Sequence, residues 1–304
     1  MSKATGFDRP LTIAVASGKG GTGKTTLSVA LALCAPGGAV LLDCDVEEPN
    51  AALFLAPQAA GAAVSETEVT VSVPVLDEAK CVGCGECAKM CRYNAIVVIK
   101  RETTIFADLC HSCGGCALVC PERAITEEPR RIGTISEWSG SALSFAQGEL
   151  DVGRSMSPPL IRAVKKRAAA LSGGAGGPTA ATIIDCPPGT SCPMVTAARG
   201  ADFALLVTEP TPFGLHDLTL AVDTIRKMGL PFGVAINRCD VGDDRVVRYC
   251  EAEGIPVMAQ IPNDRRVAEA YSSGGTLLSA GESYRRIVEG LFEKIAAYVR
   301  EERA

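Results

Sequence analysis

The sequence predicts an α/β fold, a mainly parallel sheet flanked by helices and interrupted by a small inserted domain of another kind. Three observations carry this. Apolar strands alternate with helical patterns over most of the chain, the signature of a sheet buried on both faces. A glycine-rich loop, Gly18-Lys19-Gly20-Gly21-Thr22-Gly23-Lys24-Thr25-Thr26, follows the first strand and opens a helix. Between about Glu68 and Arg130 the long apolar strands give way to cysteine, glycine and short β segments, and then resume.

In chain order, Leu11 to Ala16 reads as the first strand and Thr25 to Cys34 as the helix after the glycine loop. Val40 to Asp43, Thr182 to Asp185, Phe203 to Thr208, Pro231 to Ile236 and Ile255 to Gln260 supply further buried strands. Helical periodicity marks Pro159 to Leu171, Leu215 to Met228, Asp243 to Glu253 and Tyr284 to Arg300. The last repeats Ile287, Leu291, Ile295 and Val299 among mixed acids and bases, as a packed amphipathic helix does and a basic membrane anchor does not. Gly173 to Pro178 is too glycine-rich for regular structure. The flanks of the insert, Gly61 to Val73 and Arg131 to Val152, are left unplaced by the pattern. The expected division is an outer domain of residues 1–67 and 133–304 and an insert of 68–132.

Composition narrows the setting. The 304 residues, 47% hydrophobic, can build one large domain plus a small one. No apolar run approaches the roughly 20 residues that span a bilayer, and the N-terminus holds no signal-peptide core. A net charge of −5 argues against nucleic acid as a partner. Eight of the 14 cysteines fall in two regularly spaced runs, which without an export signal suggests thiolates in a reducing cytosol rather than disulfides.

The glycine loop matches the G-x4-GK[ST] pattern in strand–loop–helix context, so the chain reads as a P-loop NTPase. Backbone N–H groups from Gly18 to Thr26 and the helix N-terminus would face phosphate, Lys24 would neutralise the β/γ oxygens, and Thr25 would reach Mg²⁺. Lys19, directly after the first glycine, is not required by an ordinary phosphate loop. With it the sequence resembles the deviant Walker A ATPases, which include MinD, ParA, the nitrogenase iron protein and the Mrp-type cluster carriers. The resemblance implies that Lys19 crosses a face-to-face, ATP-bound dimer interface to the partner's nucleotide, in a homodimer or with a related ATPase.

Two acidic strand ends fit the same group. Asp43 and Asp45 stand at i and i+2 after the second strand, where both can face the Mg²⁺–phosphate region of an extended chain. The resemblance implies that Asp43 assists the metal shell and Asp45 orients the attacking water. It likewise places Asp185 near Mg²⁺ through water and Gly189 where it senses the γ-phosphate. Ile236-Asn237-Arg238 resembles the base-recognition position, where the Asn237 amide matches adenine and favours ATP over GTP. Asp217 would hold Lys19 between dimer states.

The insert carries Cys81-x2-Cys84-x2-Cys87-x3-Cys91, and 29 residues later Cys110-x2-Cys113-x2-Cys116-x3-Cys120-Pro121. Ala88, Ala95 and Ile96 in the first copy match Ala117, Ala124 and Ile125 in the second, which suggests two half-domains related by pseudo-symmetry. Two zinc sites would not need the third cysteine of each run. The runs resemble those of two-cluster bacterial ferredoxins, in which the fourth cysteine of each run serves the other cluster. That resemblance implies one 4Fe–4S cluster on Cys81, Cys84, Cys87 and Cys120 and a second on Cys110, Cys113, Cys116 and Cys91. Arg92 stands where the ferredoxin pattern has proline, and His111 reads as a surface residue. Of the other six cysteines, Cys192 lies seven residues after Asp185, like one of the cysteines by which the nitrogenase iron protein holds a cluster between subunits. No C-terminal Cys-x-x-Cys pair of the Mrp kind is present.

The combination implies an ATP-binding and ATP-hydrolysing iron–sulfur protein of the cytoplasm, in which nucleotide state is linked to electron delivery to a partner metalloprotein or to its cofactor maturation. A cluster carrier or assembly ATPase, and a spatial organiser of the ParA/MinD kind, are the alternatives.

Overall fold

The computed structural model describes residues 9–59, 61–173 and 179–303, without the side chains of 56–59. All but the first residue of the glycine-rich stretch expected at 173–178, and most of the polar N-terminal lead, lie outside the described residues. The chain starts with β1 (Leu11–Ala16), α1 (Lys24–Cys34), β2 (Ala39–Asp43), α2 (Ala51–Ala59) and β3 (Ser65–Leu76). The cysteine block follows as α3 (Glu86–Met90), β4 (Ile96–Ile99), β5 (Glu102–Ile105) and α4 (Gly115–Val119). Then come β6 (Ile125–Trp138), β7 (Leu143–Leu150), α5 (Ser157–Leu171), β8 (Ala181–Asp185), α6 (Cys192–Ala198), β9 (Phe203–Thr208), α7 (Pro212–Met228), β10 (Phe232–Asn237), α8 (Arg245–Ala252), β11 (Val257–Ile261), α9 (Arg265–Ser272) and α10 (Glu282–Arg303).

Nine strands form one sheet in the order β11-β10-β9-β1-β8-β2-β7-β6-β3. From β11 to β7 every pairing is parallel, and β6 and β3 then add an antiparallel pair. The central strands β2, β8 and β9 are buried at every residue, as their unbroken apolar runs require. One face packs under α1, α2 and α10 around Leu27, Leu31, Phe203, Leu291 and Ile295, the other under α5, α6, α7 and α8 around Leu160, Val164, Met194, Val222 and Val246. Loops at the C-terminal ends of the strands converge where β1 lies between β8 and β9, the usual position of a ligand crevice in such sheets.

The flanks left unplaced by the pattern are strands of the main sheet. β3 and β6 pair antiparallel from Ser65↔Glu137 to Leu76↔Ile125, so the cysteine block caps a long hairpin. The expected limits of the insert, 68 and 132, fall in mid-strand. The repeat is visible in the backbone: Gly85 (φ 79°) and Gly114 (φ 72°) precede α3 and α4, and Asn94 (φ 53°) and Arg123 (φ 50°) both take the left-handed region. Cys87, Ile96, Cys116 and Ile125 form the small core between the halves. α2, α6 and α9 are helices that the sequence pattern did not mark.

Candidate functional site

The phosphate loop is shaped by close packing. A Cβ on Gly18 would lie 2.1 Å from the Asp217 carbonyl oxygen, and one on Gly23, at φ 92°, would lie 2.4 Å from Asn237 Nδ2. Asn237 Nδ2 donates to the Thr22 carbonyl at 2.9 Å, so the end of β10 clamps the loop. Its Oδ1 accepts from the Arg238 N–H at 3.0 Å, which leaves the amide one N–H and one lone pair. Gly20 and Gly21 are exposed, while Lys24 and the Thr22 side chain are buried at the root of α1. The Gly189 N–H donates to the Ser17 carbonyl at 2.9 Å, joining the segment after β8 to the start of the loop.

Asp185 and Asp43 are paired in register on adjacent strands and fully buried. Asp185 Oδ1 accepts from the Ser28 hydroxyl at 2.9 Å, and its Oδ2 is a buried oxygen without a hydrogen-bond partner among the described residues. Burial pushes its carboxyl up against the pull of Lys24, and the Thr25 hydroxyl lies beside it. Such an oxygen facing Lys24 and Thr25 is a fitting neighbour for a hydrated cation. Asp43 is engaged otherwise. Its Oδ1 accepts from the Asp45 N–H at 3.0 Å, and its Oδ2 from Asn50 and Ala51 at 3.1 and 3.0 Å, so it caps α2. Burial and the neighbouring Asp185 push its carboxyl up to about 8. The chain therefore turns after Asp43, and Asp45 is not its extended-strand neighbour. Asp45 is half-buried and pushed up to about 6 by desolvation, opposed by Lys24.

Lys19 makes no ion pair among the described residues; Asp217 touches the loop through its backbone at Gly18 instead. Arg238, at φ 51°, pairs with Glu209 at 2.9 Å. Gly23, Thr26, Asn237 and Arg238 line a cleft of about 150 Å³ completed by Pro262, Asn263, Asp264, Val267 and Tyr271. The sequence reading missed these last five; Pro262-Asn263-Asp264 directly after a buried strand was the available signal.

The eight insert cysteines divide between two pockets. One is lined by Cys81, Cys84, Cys87 and Cys120, with Pro121, Val82 and Thr103. The other is lined by Cys91, Cys110, Cys113 and Cys116, with Met90, Tyr93 and His111. Among the described residues no three His, Cys, Asp or Glu side chains gather as a single metal ion would require. Backbone N–H groups point at sulfur, from Ser112 to Cys110 at 3.3 Å and from Ala124 to Cys120 at 3.2 Å. Burial pushes the Cys87 and Cys116 thiols up. His111 stacks on Tyr93 with ring centroids 3.4 Å apart, and Arg92 is exposed. Of the remaining cysteines, Cys44, Cys186 and Cys250 are buried, Cys34 and Cys239 half-buried, and Cys192 exposed at the start of α6.

The model of the CobQ/CobB/MinD/ParA nucleotide binding domain matches residues 13–277. This chain belongs to that family. Two uncharacterized proteins of Methanocaldococcus jannaschii are each 29% identical to this CobQ/CobB/MinD/ParA-family chain, over 296 and 290 residues, covering 94% of it and 97% of their own lengths. An iron-sulfur cluster carrier protein of Pyrococcus abyssi is 28% identical over 133 residues, which is 37% of this chain and 45% of that protein. Among solved structures, the cell division ATPase MinD of Pyrococcus furiosus superposes with a TM-score of 0.55 at 19% identity, covering 95% of this chain and 99% of that one. The septum site-determining protein MinD of Pyrococcus horikoshii, in complex with Mg-ADP, gives 0.53 at 20% identity over 94% and 96%. These two show the fold, an α/β P-loop NTPase. No helix among the described residues is long and apolar enough to cross a membrane.

Proposed function

We propose that this family member is a Mg-dependent ATPase that couples its nucleotide state to electron delivery, through two 4Fe–4S clusters in the insert, to a partner metalloprotein or its maturation. The observation that carries this is the sorting of eight cysteines into two groups of four, each drawing its fourth member from the other run. Four thiols spread around a pocket suit a polynuclear group better than one ion, and the crossing is that of two-cluster ferredoxins. Cys81, Cys84, Cys87 and Cys120 would hold one cluster, and Cys110, Cys113, Cys116 and Cys91 the other. A bound cluster supplies one-electron chemistry. The chain's own part is to exclude water with Ile96 and Ile125 and to aim backbone N–H groups at sulfur, which sets the potential.

At the nucleotide, Lys24 and the N–H groups of Gly18 to Thr26 would hold phosphate. Thr25 and the free Asp185 oxygen would face Mg²⁺ and its water, with Asp43 behind them once Mg²⁺ offsets its burial. Asp45 would orient the attacking water, Gly189 would register the γ-phosphate, and Asn237 with Arg238 would border the base. Lys19, without an ion pair among the described residues, would act across an ATP-dependent dimer, homomeric or with a related ATPase. We assign residues 1–67 and 133–304 to the ATPase, 68–132 to the insert, and the whole to the cytoplasm.

The alternative of a cluster carrier is favoured by the partial likeness to the Pyrococcus abyssi protein, which covers only 37% of this chain. Anaerobic protein should contain about eight irons per chain. Its midpoint potentials should differ between Mg·ADP and a non-hydrolysable Mg·ATP analogue, by about 59 mV per tenfold difference in nucleotide affinity between redox states. Two zinc ions per chain would sink the cluster assignment. Equal potentials with ATP-stimulated release of iron to an apo-acceptor would move the function to cluster transfer.

A further inference from the structure

Asp108 lies two residues before Cys110, in a single 3₁₀ turn over Ala107–Leu109. Its carboxylate meets Arg130 of β6 at 2.5 Å and Arg154 at 3.5 Å, and the Ser155 hydroxyl donates to its carbonyl at 3.4 Å. Arg154 and Ser155 belong to the turn between β7 and α5. That turn is pinned to the sheet: the Asp151 N–H donates to the Ile132 carbonyl at 2.9 Å and the Arg154 N–H to the Asp151 carbonyl at 3.0 Å. The second cysteine loop is thus fastened to the ATPase body by side chains. Among the described residues, loop 81–87 makes no such ion pair, since Glu86 pairs with Lys89 inside the insert.

Towards the nucleotide loop α5 is linked through α6. Gly189 donates to Ser17, and α6 begins three residues later at Cys192. The last carbonyls of α6 are gripped from α5: Lys165 Nζ donates to those of Thr196, Ala197 and Arg199 at 3.1, 2.6 and 2.6 Å. Below Lys165, α5 is seated hard on the sheet. A Cβ on Gly148 would lie 2.8 Å from Val164, and one on Gly133 2.8 Å from Leu160. A helix packed this closely moves as a body rather than absorbing a displacement.

We propose that α5 relays the state of the nucleotide site to the second cysteine set, Cys91, Cys110, Cys113 and Cys116, through the grip of its Lys165 on the end of α6 and through the Arg154–Asp108 pair. This rests on the nucleotide–redox reading above. It adds which of the two sets responds and through which side chains. The relay needs the pair to differ between nucleotide states, since only a differential interaction shifts an equilibrium. For a half-exposed charge pair the effect is on the order of twofold to fivefold.

The test uses anaerobically purified full-length protein with its native metal content, in Mg·ADP and in a non-hydrolysable Mg·ATP analogue. Amide exchange across residues 106–114 should differ twofold to fivefold between the two states, about the range given by an exposed pair, while 81–87 stays unchanged. One centre should shift by roughly 20–40 mV, which is that ratio at 59 mV per decade; the protein with Cys84→Ser, damaged in the first set, should keep the shift. Arg154→Ala, which touches neither nucleotide nor sulfur, should abolish both differences, and Arg154→Lys should restore part of them. Wild-type protein lacking any nucleotide-dependent difference would remove the coupling reading and the relay with it. Differences that persist in Arg154→Ala, or that are confined to the first set, would overturn the relay and leave the coupling standing.

Discussion

Two lysines of one loop have different surroundings, and this sets their expected phenotypes apart. Lys24 is buried beside Asp185 and Asp45, whereas Lys19 makes no ion pair among the described residues. Lys24→Ala should abolish Mg·ATP binding; Lys19→Ala should retain most of it and lose ATP-induced dimerisation, as calorimetry and sedimentation would report. Asp45 gives a pH signature. Its carboxyl is raised from 3.8 to about 6, so its contribution to stability is complete below 3.8 and lost as pH rises through 6. Asp45→Asn should therefore stabilise the nucleotide-free protein at pH 7.5, by roughly 1 kcal/mol after solvent screening, and hardly at pH 3.5. The variant should also lose about a hundredfold in turnover at neutral pH, as expected for removal of a group that orients the attacking water. A higher melting temperature at both pH values would contradict the burial argument. The glycine loop and the two cysteine runs stood out because their spacing is local to the chain, and Asp185 because it ends a buried strand. Motif spacing could not show that Asp43 spends one oxygen on the Asp45 N–H and the other on the Asn50 and Ala51 N–H groups at the start of α2, since that depends on where the chain turns after the strand.

At the scale of elements, buried parallel strands and long amphipathic helices were readable because each has its own hydrophobic period. The helices that escaped, α2, α6 and α9, are nine, seven and eight residues long, too short for a period to accumulate. β3 and β6 escaped because they form the sheet's margin, with polar residues such as Glu66, Glu68, Glu128 and Arg131 on exposed positions. The seat of α5 on β7 depends on Gly148, where a Cβ would lie 2.7 Å from Val46 and 2.8 Å from Val164. Gly148→Ala should cost about 1–3 kcal/mol through overpacking, measurable by urea unfolding, and Val164→Ala in the same chain should recover part of it. Additive losses in the double variant would show that α5 is not seated as described.

Across the whole molecule, the insert hangs from a hairpin that continues the main sheet. The switch from apolar strands to cysteine spacing marked the cysteine block in the sequence, but not the strands that carry it, because β3 and β6 serve the sheet and the block at once. Leu76 and Ile125 are the last register pair before the cysteine block. Removing 77–124 and joining these strands through Asn-Gly, a type I′ turn, should leave a folded protein that binds Mg·ATP within about twofold of the full chain and holds no iron. An unfolded or nucleotide-blind product would mean that the insert is part of the ATPase core.

The strand order also sets a sequence of events in time. β8 carries Asp185 and lies between β1 and β2, yet it follows the cysteine block in the chain. A ribosome making this protein from its N-terminus therefore releases all eight insert cysteines before the strand that completes the nucleotide site. The gap between β1 and β2 stays open throughout that interval. Any ligand that those cysteines take up during synthesis meets them while the sheet of the ATPase is still incomplete, and before nucleotide can influence its uptake.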